Sequence, residues 1–131
     1  MRKIKTLKKN YEFKNVLNKG KYYVGKQITV YITKNKIKEN VIGVAVNTKV
    51  SKAVKRNHIK RLIRENYYNV KDKLKSGHNI VFVWNKKVNY KLADYHIIKK
   101  DMDNIFTSAN LIKRDEEEKN EKSNITYFKR I

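Results

Sequence analysis

The stretch from Ser51 to about Leu74 limits this chain's folding options more than any other feature. Ser51 can cap a helix, and Gly77 lies just past its end, so the spacing predicts one long helix. At 100° per residue with Arg56 at zero, Ile59, Leu62, Ile63, Asn66 and Val70 fall between about 240° and 340°. Tyr67 lies at the edge of that stripe. Arg56, Lys60, Arg64 and Arg61 fall between zero and about 140°, with Asn57 among them. A helix of this kind must bury its apolar stripe against a second layer, and doing so leaves a row of cations facing outward.

The second layer is written as strands. Ile28 to Thr33 alternates, with Ile28, Val30 and Ile32 on one face and Thr29, Tyr31 and Thr33 on the other. Val41 to Val46 puts Ile42, Val44 and Val46 on one face and the small Gly43 and Ala45 on the other. Ile80 to Trp84 is apolar on both sides and reads as a buried strand. A short edge strand around Tyr22-Tyr23-Val24 is also expected. A first helix spans Asn10 to Asn18, with Asn10 as cap, Glu12 at the positive end of the dipole and Phe13, Val16 and Leu17 on one face. Gly20, tolerant of positive φ, should end it. A last helix is expected from about Tyr90 to Leu111, with Leu92, Ile97 or Ile98, Met102, Ile105 and Phe106 inward. The 131 residues, 40% of them hydrophobic, suit one core.

From Lys49 to Arg64, seven of sixteen residues are basic, and no acid occurs between Glu39 and Glu65. An ordinary solvated helix face mixes both signs. The chain has six arginines and three stand in this run, although lysine supplies most of its 33 basic residues. Guanidinium binds phosphate oxygens two at a time and stacks on bases, which ammonium does not. The net charge of +21 repels itself unless an anion offsets it. Nucleic acid is the leading partner, and an anionic membrane surface is a distant second.

Other chemistries fall away. Without cysteine there is no disulfide, thiolate zinc site or cysteine nucleophile. No apolar run approaches the roughly 20 residues of a membrane span, and the basic start is followed by no apolar stretch, so a cytoplasmic protein is expected. His58, His78 and His96 stand on different elements, and Asp101 and Asp103 point about 200° apart on a helix. No carboxylate cluster suits two-metal hydrolysis, so we expect no catalytic residue, no metal site and no nuclease activity from the protein alone. The tail 115–131 opens with Asp115-Glu116-Glu117-Glu118 and reads as a solvated, disordered extension of a domain spanning 1–114.

The run Ala53-Val54-x-Arg56-Asn57-x-Ile59-Lys60-Arg61-Leu62-Ile63-Arg64 resembles the Arg-Asn-Arg signature of the protein subunit of bacterial ribonuclease P. The match extends from Leu7 to about Lys113 and takes in the Phe13 helix and the Tyr31 strand. The resemblance implies an α/β (α+β sandwich) fold with a mixed four-stranded sheet, three helices, a ribosomal protein S5 domain 2-like topology and a left-handed βαβ crossover. It implies a subunit that binds a catalytic RNA and the 5′ leader of precursor tRNA. In such a holoenzyme the RNA and its magnesium ions cut the leader away, and the protein needs no cofactor and no protein partner of its own. Carried over onto this chain, Lys49, Lys52, Arg56, Asn57, Lys60, Arg61 and Arg64 contact the catalytic RNA, while Phe13 and Tyr31 contact the leader. His58 stands where the signature has its second arginine, and Leu17 where the family often has a second cleft aromatic. A structural ribosomal or RNA-assembly protein is the alternative, sharing the charge without a processing role.

Overall fold

The computed structural model describes residues 4–113, so the tail expected to be a disordered extension lies outside the described residues. The elements are β1 (Lys5–Thr6), α1 (Asn10–Lys19), β2 (Lys21–Val24), β3 (Ile28–Lys34), β4 (Val41–Ala45), α2 (Ala53–Val70), β5 (His78–Trp84) and α3 (Tyr95–Ser108). The strands form one mixed sheet in the order β1-β4-β5-β3-β2. β4 runs parallel to both β1 and β5, while β3 is antiparallel to β5 and β2. There are five strands where four were expected. The extra one is β1, whose two residues are too short to show alternation and are defined by pairing Lys5 with Val41 and Thr6 with Ile42.

The alternation within the strands sorts the sheet into two faces. Ile28, Val30, Ile42, Val46, Ile80, Phe82 and Trp84 point to one side, where α2 and α3 cover them with Ile59, Ile63, Tyr67, Ile98, Met102, Ile105 and Phe106. Phe82 meets Tyr67 and Phe106 edge-on, at ring distances of 5.7 and 6.1 Å. Parallel β4 and β5 are joined through α2, which must lie over a face to make that connection. Of the expected stripe of α2, Ile59, Ile63 and Asn66 are buried and Leu62 and Val70 half-buried, while Tyr67 joins the buried side.

Several boundaries differ from the sequence expectations. The α2 helix starts at Ala53 behind an extended Lys52, not at a Ser51 cap, and no side chain caps it. The Ser51 carbonyl is instead engaged by the Arg56 guanidinium, Nη1 donating at 2.6 Å. The far end stops at Val70, where a single 3-10 turn, Lys71–Lys73, leads out. Asp94 starts α3 late: its carboxylate accepts from the amides of His96 and Ile97, which leaves Tyr90–Leu92 as a separate 3-10 turn. Leu92, expected inward, is therefore 63% exposed. At the start of α1, Lys9 is the cap and Asn10 the first helical residue, while Glu12 Oε1 accepts from the amides of Lys8 and Lys9. Those bonds hold the Glu12 carboxyl below its ordinary range. Gly20 has φ −77°, so its reason is closeness and not handedness: a Cβ there would lie 2.6 Å from the Val16 carbonyl oxygen.

Candidate nucleic-acid interface

The two flanks of α2 have different neighbours. On one, Asn66 Nδ2 donates to the carbonyls of Leu62 and Tyr95, and Asn69 Nδ2 donates to the Tyr95 hydroxyl, which fastens the start of α3. Asn66 thus belongs to the buried stripe because its polar atoms are satisfied there. On the other flank Asn57, Arg61 and Arg64 are exposed and Arg56 and Lys60 half-buried. Lys49 and Lys52 are exposed just ahead of the helix, where the Lys49 amide donates to Asn47 Oδ1 at 2.8 Å. Among the described residues the ion pairs are Lys5–Glu39 and Lys71–Asp72, and none involves this row. Arg61 and Arg64 are thus exposed and meet no carboxylate among the described residues. Arg56 differs from its neighbours, since one of its donors is committed to the Ser51 carbonyl and braces the loop into the helix.

The opposite sheet face is covered only in part. The α1 helix lies across it, and Val16, Val41 and Val81 on this side are all buried. Phe13 rests on Gly43: a Cβ at residue 43 would come within 2.6 Å of the ring. The small residues of β4 thus make room for an aromatic, and Phe13, half-buried, is both packing and wall. Pairing places Gly43 opposite Val81, Val81 opposite Tyr31 and Tyr31 opposite Tyr22, so Phe13 and Tyr31 share one cross-sheet row, two strands apart. Tyr31 is half-buried and Leu17, on the same side of α1 as Phe13, is 36% exposed. Past α1 the face continues through half-buried Thr29, Val83 and Ala45 to exposed Val24. A hollow of about 1110 Å³ opens on the other flank of α1 beside Tyr11, Asn15 and Asn79 and includes neither Phe13 nor Tyr31.

Two further residues bear on the site and its support. Tyr22 is 63% exposed, with its ring centroid 5.6 Å from that of Tyr31. Alternation puts Tyr22 and Tyr23 on opposite faces of an edge strand at 22–24, and the pairing of Tyr22 with Tyr31 decides which of them joins the Tyr31 face. Asp101, set aside above as half of a non-cluster, is buried, and its carboxylate accepts from the amides of Lys26, Gln27 and Ile28. Among the described residues no group of three or more His, Asp or Glu side chains is placed to hold a metal ion, and no helix is long and apolar enough to cross a membrane.

Fold and surface together define a small basic α/β protein, with one row of cations on its crossover helix and one partly open aromatic sheet face. The family model for ribonuclease P matches residues 1–110. The ribonuclease P protein component of Clostridioides difficile is 39% identical over 102 residues, covering 77% of this chain and 88% of that one. That of Fusobacterium nucleatum is 37% identical over 109 residues, covering 82% and 98%. Among solved structures, the Staphylococcus aureus RNase P protein superposes with a TM-score of 0.73 at 28% identity, over 85% of this chain and 100% of that one. The Thermotoga maritima RNase P protein gives 0.70 at 25% identity, over 82% and 97%. The chain belongs to the ribonuclease P protein family.

Proposed function

We propose that this chain is the protein subunit of a ribonuclease P holoenzyme. It binds the catalytic RNA along α2 and the 5′ leader of precursor tRNA on the α1 face of the sheet. The observation that carries this reading is the row Asn57, Lys60, Arg61 and Arg64, free of carboxylate partners among the described residues and turned away from the aromatic face. Two separate surfaces suit two separate RNA segments. Arg61 and Arg64 each offer a planar fork to phosphate oxygens, and Asn57 adds a neutral donor and acceptor between them. Arg56, braced on Ser51, holds the start of the row in place and keeps its remaining donors for the RNA. Lys49 and Lys52 extend the charge toward β4. Each phosphate neutralised releases counterions, which makes binding steeply salt-dependent.

On the other face, Tyr31 gives an unpaired leader base a ring to stack on, for about 1–3 kcal/mol, against a wall made by Phe13. The protein's positive charge offsets the repulsion between leader and catalytic RNA as they are brought together. Hydrolysis, which leaves a 5′-phosphate on the mature tRNA, is the work of the RNA and the magnesium ions it holds. The protein contributes binding and alignment from the cytoplasm, with no membrane and no further protein required. The test is reconstitution with the matching catalytic RNA at low magnesium. Restored leader removal is expected. A protein that binds this RNA no better than ribosomal RNA and leaves cleavage unchanged would favour the ribosomal or assembly role.

A further inference from the structure

Tyr22 packs against the Tyr31 ring on one side only and leaves most of its surface to solvent. It stands on edge strand β2, 63% exposed, next to Val24, which is 67% exposed on the same sheet face. Its ring lies 5.6 Å from Tyr31 at a tilt of 34°, too close for a base to pass between them but open on its outer side. The two rings therefore form one continuous step that begins beside α1 and ends at the sheet edge. Lys26, exposed in the turn that follows β2, places an ammonium group beside that edge. On the opposite wall Leu17 fills a position where an aromatic residue would have served for stacking, and it is aliphatic and only partly exposed.

We infer that Tyr22 is a second leader-stacking residue, receiving the nucleobase that follows the one held at Tyr31 and drawing the leader's path out over β2. This rests on the leader-binding reading above. The ligand class is an unpaired nucleotide of any base identity, since a ring face selects for stacking and not for a hydrogen-bond pattern. Thr29 and Val24 flank the step without crossing it, and Thr29 Oγ1 is already committed to Asn85 Oδ1 at 2.6 Å, which leaves the aromatic surface as the feature that holds the base.

The experiment uses the holoenzyme reconstituted with its catalytic RNA and measures the dissociation constant for precursor tRNAs whose leaders grow one nucleotide at a time. For the unaltered protein, affinity should rise with length until the cleft is filled. Tyr22→Ala should remove the last rise, weakening long-leader substrates about five- to tenfold and leaving the shortest unchanged. Tyr22→Phe, which keeps the ring, should follow the unaltered protein. If Tyr22→Ala gives the unaltered curve while Tyr31→Ala flattens it, the inference fails and leader binding stands. If Tyr22→Ala weakens every substrate equally, the residue serves the fold or the catalytic RNA, and the inference again fails. If the unaltered protein shows no dependence on leader length, the reading beneath the inference fails.

Discussion

Asp101→Ala should cost as much stability as truncating one of the apolar core residues of α3. The carboxylate, 5% exposed, accepts from the amides of Gln27 at 2.8 Å, Lys26 at 2.9 Å and Ile28 at 3.1 Å, three consecutive donors at the turn between β2 and β3. The amides of Gln27 and Ile28 are buried, whereas that of Lys26 is partly open and can turn to water. Two buried donors left without partners, at about 1–3 kcal/mol each, give a loss of ~3–5 kcal/mol once some water enters the space vacated. A domain of this size commonly has only about 5–15 kcal/mol in total. Asp101→Asn keeps one oxygen, which can serve the two buried amides, but turns an amino group toward Lys26. It should lose roughly half as much. Urea unfolding followed by circular dichroism, at fixed ionic strength, measures both. A loss below ~1 kcal/mol for Asp101→Ala, or equal losses for the two variants, would refute the argument that this carboxylate fastens the hairpin to α3. Because β2 begins the same hairpin, the alanine variant should also blunt the response to leader length.

Arg61→Ala should weaken binding to the catalytic RNA by ~1–2 kcal/mol and lower the salt slope by about one, whereas Lys99→Ala on α3 should do neither; equal losses in filter binding would reduce the row to diffuse charge. Gly43→Ala should drive the Phe13 ring off β4, costing ~1–3 kcal/mol in thermal unfolding and impairing long-leader substrates more than short ones. Burial lowers the His78 pKa from 6.5 and the Lys34 and Lys75 charges add to it, while hydrogen bonds to the Lys75 and Ser76 backbone oppose the shift without reversing it. The unfolded chain therefore takes up the proton first, and stability should fall as pH drops below about 6.5. His78→Gln should flatten that part of a stability–pH curve, and an unchanged curve would assign the effect elsewhere.

The crossover helix and the core face of the sheet were legible because both follow simple periods. Ile59, Ile63 and Asn66 recur at helical spacing, and Ile28, Val30 and Ile32 alternate. What stayed hidden depends on partners distant in the chain. A two-residue strand such as β1 has no period and exists through its pairing with Val41 and Ile42. Leu92 looked inward only while it was counted in α3, and the Asp94 cap moved it into a separate turn. Asp101 read as one more acid on a helix, because its three donors lie more than seventy residues away. For the site, the cationic row was readable from composition and wheel angle alone. The Phe13 and Tyr31 assignments came from family resemblance, and the register that unites them with Tyr22 needed coordinates.

The central claim is that one face of this protein meets the catalytic RNA and another meets the leader. The chain contains no cysteine, so a single introduced thiol can carry a photo-cross-linker cleanly. Attached through Asn57→Cys on α2, the probe should capture the catalytic RNA in the assembled holoenzyme. Attached through Thr29→Cys on β3, it should capture the precursor's leader. Both probes marking the same RNA, or the two targets exchanged, would contradict the account.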